Sequence, residues 1–417
     1  MASLQPVRGT RDLMADDVRR HRAVIEQARS VSALYGFDEI MTPIFEFTEV
    51  FSRTIGETSD IVSKEMYAFE RSGDRLCLRP EGTAGVCRAF LSNGLVQQVP
   101  FRAFYAGPMF RYERPQKGRQ RQFHQLGVEL LGVDSPRADV EVLSLAAHIL
   151  DLYGLKDRVR LEINTLGDTE SRMAYRDALR SWLSRYRDDL SEESKIRLEK
   201  NPLRILDSKD EKDRALIADA PGMADYLNAA SQHFFDAVQD GLSRHGIAFS
   251  VNQKLVRGLD YYCHTAFEFV TDDLGAQGTV LAGGRYDGLI ETMGGPHVPG
   301  IGWAAGVERL AMMMADVPPR LRPLAVIPAS PALEVDADQL VSRLRYAGFA
   351  VDMAFSGAMK KRMKRANAVH ACAALLLGED EQAQGGVTVR DLDTGEQELV
   401  PLASLEEALA RFRSCHG

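Results

Sequence analysis

Polar and apolar residues alternate most regularly between positions 107 and 132, where the chain reads GPMFRYERPQKGRQRQFHQLGVELLG. The pattern predicts a strand, a basic loop and a second strand, in which alternate side chains face opposite sides of a sheet. One side of the second strand is mostly apolar and carries His124, Leu126, Val128 and Leu130. The other side carries Phe123, Gln125, Gly127 and Glu129. This polar side is predicted to be the floor of a pocket, with the glycine leaving room for a small ligand.

Other segments of the first three hundred residues show the periods of helices and strands. Helical spacing is found at 16–35, 83–94 and 136–153, and strand-like patterns at 75–79, 159–166, 248–255, 266–270 and 279–282. An extended run at 37–46 contains Pro43, which favours a sheet edge or an interface. Strand signals give way to charged helical segments over about 168–235, which predicts a helical insertion. Residues 299–315 are expected to run from a glycine-rich strand into a helix.

The segment PPRLRP at 318–323 has the composition of a linker. Strand and helix patterns alternate beyond it and end in a predicted hairpin near Thr394, as in a compact α/β domain. We therefore expect two domains, residues 1–322 and 323–417.

Composition adds the class of protein. The chain has 417 residues, 45% hydrophobic and 26% charged, which is ordinary for a globular protein. It contains no apolar run long enough for a membrane span and no apolar signal-peptide core. Five cysteines form no CxxC pair, which favours reduced thiols and a cytoplasmic location. Since the nine histidines form no HExxH motif and join no cysteine cluster, spacing predicts no metal site.

Charge argues against a protein that coats nucleic acid indiscriminately, because the net charge is −8 and the pI is near 5.7. Two basic runs, 111–121 and 359–365, still allow local contacts with phosphates. A charge run more often forms a solvated face, so by itself neither run identifies a ligand.

Two segments offer groups for binding a small polar ligand. In LRPEGT (78–83) Glu81 and Thr83 can accept hydrogen bonds from an ammonium, although the same residues suit a helix cap. In RGLDYY (257–262) Tyr261 and Tyr262 can supply hydroxyls or aromatic walls, although a buried tyrosine pair is more often part of a core.

Phosphate binding depends on arginines, since the chain has neither GxxxxGK[ST] nor GxGxxG. Arg111 ends the first strand of the 107–132 segment, Arg257 opens RGLDYY, and Arg309 lies early in the helix that follows GIGWAAGVE. The segment GGRYDG (283–288) is expected to form a turn that exposes backbone N–H groups. No Ser–His–Asp or Cys–His arrangement stands out, which favours chemistry driven by positioning and charge neutralisation.

These segments resemble a known family. The strand–loop–strand GPMFRYERPQKGRQRQFHQLGVE looks like motif 2 of class II aminoacyl-tRNA synthetases, GIGWAAGVERL like motif 3, and the helix before FDEIMTPIFE like the dimer-forming motif 1. LVRGLDYY and LAGGRYDGL look like the signatures of the histidyl-tRNA synthetase family, and RGTRDL fits the same family.

The resemblance implies an α+β fold, with an antiparallel sheet flanked by helices, a helical insertion and a C-terminal α/β anticodon-binding domain. The 1–322 domain would be catalytic and the chain a homodimer with no membrane contact. The reaction would join L-histidine and ATP, with Mg²⁺, into histidyl-adenylate. The histidyl group would then pass to the 3′ end of histidine tRNA.

Site residues follow from the positions of the motifs. By resemblance, the amino acid's ammonium would be held by Glu81, Thr83 and Gln125. The imidazole would be selected by Glu129, Tyr262 and Tyr286, in a pocket also lined by Tyr261. The catalytic arginines Arg111 and Arg257 would grip the α-phosphate and the carboxylate region, and Arg309 the outer phosphates. The tRNA acceptor end would meet Arg114, Gln116, Lys117, Arg119 and Arg121. The anticodon would meet the helix at 359–367, whose basic residues would bind phosphate.

Three alternatives remain at this point. One is a catalytically inactive paralogue that serves as a regulatory subunit for the first enzyme of histidine biosynthesis. The others are an RNA-binding or sensor module with the same fold, and a synthetase for glycine, proline or threonine. The presence of Glu81, Gln125, Arg257 and a C-terminal domain argues against the first, and the signatures RGLDYY and GGRYDG against the last.

Overall fold

The computed structural model describes residues 4–56, 59–116, 118–208, 210–256, 261–275, 278–314, 316 and 319–414. The chain separates into two compact units, residues 1–317 and 318–417. In the described ranges, no helix combines the length and the apolar character that crossing a membrane requires.

The first unit mixes helices and strands along its whole length. Its helices are α1 (Ala15–Leu34), α2 (Thr48–Ile55), α3 (Thr83–Ser92), α4 (Pro136–Leu152), α5 (Thr169–Ser184), α6 (Glu192–Lys200), α7 (Glu211–Ile217), α8 (Ala229–Arg244), α9 (Leu289–Thr292) and α10 (Val307–Met313). Its strands are β1 (Asp38–Glu39), β2 (Phe45–Phe47), β3 (Ala68–Arg71), β4 (Asp74–Leu78), β5 (Phe101–Phe110), β6 (Gln122–Leu131), β7 (Arg160–Thr165), β8 (Phe249–Val251), β9 (Cys263–Val270), β10 (Thr279–Arg285) and β11 (Gly300–Gly306).

Eight of these strands form one sheet, in the order β1-β5-β6-β11-β10-β9-β7-β8. The central pairings are antiparallel, and the two edge pairings, β1 with β5 and β7 with β8, are parallel. A smaller sheet has the order β2-β4-β3. The predicted fold class, an antiparallel sheet flanked by helices, is therefore confirmed.

The main core lies on the apolar side of β6. Leu126, Val128 and Leu130 are fully buried there against α1, α4 and α10. The two-faced character predicted for β6 is thus observed, because burial of alternate residues on one face fixes which face receives the polar set.

The helical segment between β7 and β8 has a core of its own, which includes Tyr175, Leu198 and Ile217. By contrast, α8 packs into the main core through Phe235 and Leu242. Composition alone could not separate α8 from the preceding helices, because both carry charged residues on their outer faces.

The prediction of a turn at GGRYDG is wrong for its first half, since Gly283 and Gly284 lie inside β10. A Cβ at Gly283 would overlap the carbonyl oxygen of Gly302 on β11, so close strand contact explains this glycine. Arg285 is fully buried and pairs with the buried Asp139, which makes it a structural residue.

The second unit is the predicted α/β arrangement. Its strands are β12 (Leu324–Pro328), β13 (Val351–Met353), β14 (Ala373–Leu377), β15 (Gly386–Asp391) and β16 (Gln397–Pro401). Its helices are α11 (Glu334–Tyr346), α12 (Met359–Ala368), α13 (Glu379–Ala383) and α14 (Leu405–Ala408). The strand order is β13-β12-β14-β15-β16, with parallel pairing among the first three strands and a terminal antiparallel hairpin.

Candidate active site

A cavity of about 210 Å³ opens on the polar side of the large sheet. Seven residues that the sequence assigns to histidine or ATP line it: Glu81, Thr83, Arg111, Gln125, Tyr261, Tyr262 and Arg309. They come from the start of α3, from β5 and β6, from the segment before β9 and from α10. Antiparallel pairing in the centre of the sheet brings these distant segments to one place.

Glu81 closes the start of α3. Its carboxylate accepts hydrogen bonds from the backbone N–H groups of Thr83, at 2.6 Å, and Ala84, at 2.9 Å. Burial raises the pKa of Glu81 against these hydrogen bonds. Glu81 therefore serves the start of the helix, as the alternative interpretation expected. This is compatible with ligand binding, because the same carboxylate borders the cavity.

Glu129 lies at the buried base of this region and is fully inaccessible. One carboxylate oxygen accepts a hydrogen bond of 2.6 Å from Thr83 Oγ1, and the other accepts one from the hydroxyl of Tyr286. Burial raises the pKa of Glu129 to about 8, although the two hydroxyls oppose this shift. Glu129 can thus change its charge near neutral pH.

The gap expected at Gly127 is filled by a side chain of the protein. Tyr105 lies opposite Gly127 on β5, and a Cβ on Gly127 would come within 2.5 Å of Tyr105 Cζ. Tyr105 is 4% exposed and its hydroxyl has no hydrogen-bond partner among the described residues. The glycine makes room for this tyrosine, so the expectation of a ligand against the backbone of Gly127 is wrong.

Gln125 presents an acceptor without a donor, since its Oε1 is buried and makes no hydrogen bond within the described part of the chain.

Three tyrosine rings pack against one another nearby. The ring centroids of Tyr261 lie 4.6 Å from Tyr262 and 5.7 Å from Tyr286. Tyr261 and Tyr262 also line the cavity, so they act both as core and as pocket wall.

Arg111 and Arg309 border the same cavity. Arg111 donates from Nε to the carbonyl of Pro80 at 2.9 Å, and Arg309 donates from Nη1 to the carbonyl of Thr279 at 2.5 Å. Burial lowers the pKa of Arg309, and Arg119 and Arg111 contribute to the same effect. The mutual repulsion of these cations favours an anionic ligand between them. Arg257 lies outside the described residues.

The predicted tRNA contacts on the loop between β5 and β6 differ in their surroundings. Arg114 and Gln116 are exposed. Arg119 lines the cavity and lies 2.6 Å from Glu113, and Arg121 stacks on the ring of Tyr112 at 3.9 Å. Lys117 lies outside the described residues. Because Arg119 lines the same cavity as Arg111 and Arg309, it lies with the predicted ATP contacts.

The sequence analysis gave no role to two further features of this region. Phe123 lines the cavity with Arg111 above its ring, the guanidinium carbon 5.3 Å from the ring centre. Glu308 also borders the cavity and lies in a cluster with His21 and His124. Alternation along β6 placed Phe123 on the predicted pocket floor, whereas the cluster was missed because it joins three segments that no local spacing connects.

An antiparallel sheet with a strand–loop–strand segment and a strand-to-helix segment, each placing an arginine at one cavity, is the catalytic architecture of the class II aminoacyl-tRNA synthetases. Residues 9–310 match the family model of histidyl-tRNA synthetase, and residues 324–412 match that of an anticodon-binding domain. The chain belongs to the histidyl-tRNA synthetase family, whose function is to charge tRNA with histidine.

Individual relatives agree over nearly the whole chain. A histidine–tRNA ligase of Rhodospirillum rubrum is 62% identical and covers 99% of this chain and 100% of the relative. One from Gluconacetobacter diazotrophicus is 54% identical, covering 98% and 99%. The crystal structure of apo histidyl-tRNA synthetase from S. aureus superposes with a TM-score of 0.82 at 33% identity, covering 97% of this chain and 99% of that one.

Proposed function

We propose that this chain activates L-histidine with ATP to histidyl-adenylate and transfers the histidyl group to the 3′ end of histidine tRNA, using the residues of the cavity. The observation that carries the proposal is the convergence of Arg111 and Arg309 on a cavity lined by Glu81 and Thr83, with Glu129 buried behind Thr83 and accepting a hydrogen bond from it. The cationic side of the cavity suits the phosphates of ATP, and its acidic side suits the ammonium group of histidine.

The amino group of histidine would bind between Glu81, Thr83 and Gln125. Glu81 is held by two backbone N–H groups, so its position is fixed before the substrate arrives. The unpartnered Oε1 of Gln125 is an acceptor that a substrate ammonium satisfies. An unmet buried acceptor costs about 1–3 kcal/mol, and binding recovers this free energy.

The imidazole would lie between Glu129 and the tyrosines. Neutral imidazole has one donor and one acceptor, which a carboxyl group and a tyrosine hydroxyl can satisfy together. An aliphatic side chain in that place leaves the buried polar groups unpaired, and this mismatch gives strong discrimination. Tyr105, with its unpartnered buried hydroxyl, is a further candidate for this pocket.

The triphosphate would bind to Arg111, Arg309 and Arg257, with Arg119 as an additional cation from the loop. Fixed guanidinium groups stabilise the charge that develops at the α-phosphorus without reorganising, and each such contact contributes roughly 3–4 kcal/mol in comparable sites. The carboxylate of histidine attacks the α-phosphorus, the bond to the β-phosphate oxygen breaks, and pyrophosphate leaves. No side chain needs to form a covalent bond.

Mg²⁺ would enter bound to ATP, because this ion keeps water and phosphate ligands and takes few from protein. Glu113, which lines the cavity, would supply a carboxylate ligand to the ion, in exchange for its contacts with Arg111, at 3.8 Å, and Arg119, at 2.6 Å. When bound, the ion would neutralise charge on the outer phosphates.

The anticodon would bind to a surface of the second unit that surrounds Phe355, which is 95% exposed. The loop that carries Phe355 is pinned from below by Arg362, which donates to the carbonyls of Ala354 and Gly357, both at 2.7 Å. Arg362 is 5% exposed. A rigid exposed aromatic ring is a stacking platform for an unpaired base, and such stacking contributes about 1–3 kcal/mol per base.

The basic run at 359–365 therefore divides into two groups. Arg362 is buried, and Arg365 makes two hydrogen bonds of 2.8 Å to Asp352. The exposed residues Lys360, Lys361 and Lys364 make no ion pair within the described ranges, so phosphate binding would fall to them and not to the arginines.

A homodimer would form through the small sheet and the segment before it. Met41, Phe45 and Phe47 are 80%, 58% and 55% exposed, and Phe69 on β3 is 46% exposed. Clustered exposed apolar side chains mark an association surface, and this one coincides with the segment that resembles motif 1.

An ATP–pyrophosphate exchange assay with histidine, glycine, proline and threonine tests the activity. We expect exchange with histidine alone. Absence of exchange would favour the regulatory paralogue or a sensor module, and exchange with another amino acid would favour a different synthetase.

A further inference from the structure

Two histidines and a glutamate from three separate elements meet beside the cavity. His21 lies on α1, His124 on β6 and Glu308 on the first turn of α10. His21 Nε2, His124 Nδ1 and a carboxylate oxygen of Glu308 all lie within 4.8 Å of one another. The three elements pack in one core through Val24, Leu126 and Val307, so the cluster rests on a rigid base.

The Glu308 carboxylate is held in place by His124. Its Oε1 lies 2.8 Å from His124 Nδ1, and both of its oxygens accept from the backbone N–H of His124 at 3.0 Å. These contacts engage both carboxylate oxygens and fix the orientation of Glu308.

His21 is the unsatisfied member. Its Nε2 is buried and makes no hydrogen bond among the described residues, and at 3.8 Å from Glu308 Oε1 it is too far away for one. The residue is only 8% exposed. A buried imidazole nitrogen whose nearest partner is a carboxylate oxygen beyond hydrogen-bond distance is uncommon, and one explanation is an ion that belongs at that position.

We propose that His21 Nε2, His124 Nδ1 and Glu308 Oε1 bind a divalent transition-metal ion of the zinc type. Two imidazoles and a carboxylate are a donor set that zinc uses with water as a fourth ligand. Magnesium and calcium prefer oxygen donors. Zn–N and Zn–O bonds are usually about 2.0–2.2 Å long, so the three side chains, whose ligand atoms lie within 4.8 Å of one another, would close around the ion on binding.

Metal binding at this site moves protons only and involves no redox step. A hydrogen bond of 2.8 Å between His124 Nδ1 and the carboxylate of Glu308 requires the proton of the ring to be on Nδ1. The metal takes the lone pair of Nδ1, that proton is released, and a proton from water restores N–H on Nε2 of the ring. The carboxylate and two neutral imidazoles leave a net charge of about +1 on the occupied site.

The ion would tie α1 to β6 and α10 next to Arg309. Because Glu308 borders the cavity, the metal can enter from there. This inference depends on side chains that the proposed activity does not use for histidine, and it holds or fails independently of that activity.

The test is a titration of the full chain, stripped with a chelator, with Zn²⁺ in competition with a chromogenic chelator at neutral pH. The variants are His21→Asn and Glu308→Gln, with His297→Asn as the matched control, since His297 forms an exposed imidazole–carboxylate pair with Glu291 at 3.1 Å. Circular dichroism establishes that each variant is folded, and the unfolding temperature is measured with and without Zn²⁺.

We expect one tight equivalent of Zn²⁺ in the unmodified chain and in His297→Asn, with a higher unfolding temperature in both when zinc is present. His21→Asn should bind at least about 100-fold more weakly, because loss of a direct ligand exceeds the 10- to 100-fold effect of losing an outer partner. The same loss in Glu308→Gln would support the site. A titration without a stoichiometric tight site, or zinc binding in His21→Asn equal to that of the unmodified chain, would overturn it.

Discussion

Replacing Tyr286 with phenylalanine tests how the imidazole pocket is held. The Tyr286 hydroxyl is the partner of one oxygen of Glu129, and both residues are at most 1% exposed. Tyr286→Phe leaves that oxygen unpaired in a place that water does not reach. The hydrogen bond from Tyr286 also lowers the pKa of Glu129, so its loss raises this pKa further.

Tyr286 fixes the Glu129 oxygen that the proposed imidazole contact needs, so we expect that contact to be lost in Tyr286→Phe. Loss of one buried hydrogen bond costs about 1–3 kcal/mol, which corresponds to roughly 5- to 150-fold in binding. We expect the KM for histidine to rise by this factor, while the KM for ATP stays unchanged because Arg111 and Arg309 are untouched. The assay is histidine-dependent pyrophosphate exchange, with each substrate varied in turn.

The matched control is Tyr153→Phe, which removes a buried hydroxyl that donates to the carbonyl of Val24 at 2.5 Å. This variant should be less stable but should bind histidine normally. If Tyr286→Phe and Tyr153→Phe have the same KM for histidine, the proposed role of Tyr286 and Glu129 in holding the imidazole is refuted.

Four further predictions concern other parts of the molecule. Arg257→Ala should abolish adenylate formation with the chain still folded, and normal exchange in this variant would remove Arg257 from the mechanism. The pKa of Glu129 is raised to about 8, and its value in the unfolded chain is near 4.3. Between these two pH values the folded chain holds one proton more than the unfolded chain, so the free energy of unfolding falls as the pH rises, by at most about 1.4 kcal/mol per pH unit. Denaturant unfolding at pH 6 and 8 should show a smaller loss in Glu129→Gln, and equal losses would contradict the raised pKa. Phe355→Ala should lower kcat/KM for tRNA charging by roughly 5- to 150-fold and leave pyrophosphate exchange unchanged. The control Tyr346→Ala removes a 93% exposed ring in the same unit and should change neither activity. Equal effects of the two variants would exclude stacking on Phe355. If the chain forms the proposed homodimer, Phe47→Glu should lower its sedimentation mass to that of a monomer, and a mass equal to that of the unmodified chain would contradict the proposed interface.

Local periodicity predicted those elements whose burial is set within a single segment. The faces of β6 follow from alternation, because Leu126, Val128 and Leu130 all enter the core. The strand-to-helix segment at 300–313 was likewise recognised from its own residues. Glu81 and Thr83 were found because a carboxylate and a hydroxyl at a helix start are visible in a short motif.

Contacts between distant segments could not be predicted in this way. Whether the space over Gly127 holds a ligand or Tyr105 depends on the register of β5 against β6. The burial of Arg285 depends on Asp139, 146 residues away. Likewise, the separation of Arg362 from the exposed lysines of α12 depends on the carbonyls of the preceding loop. In each case the side chain's role is set by tertiary structure.

A crystal structure of the chain with histidine and a non-hydrolysable ATP analogue tests the central claim most directly. The account predicts the imidazole within hydrogen-bond distance of Glu129, and the triphosphate in contact with Arg111, Arg309 and Arg257. A triphosphate bound away from these arginines, or an imidazole that does not meet Glu129, would contradict it.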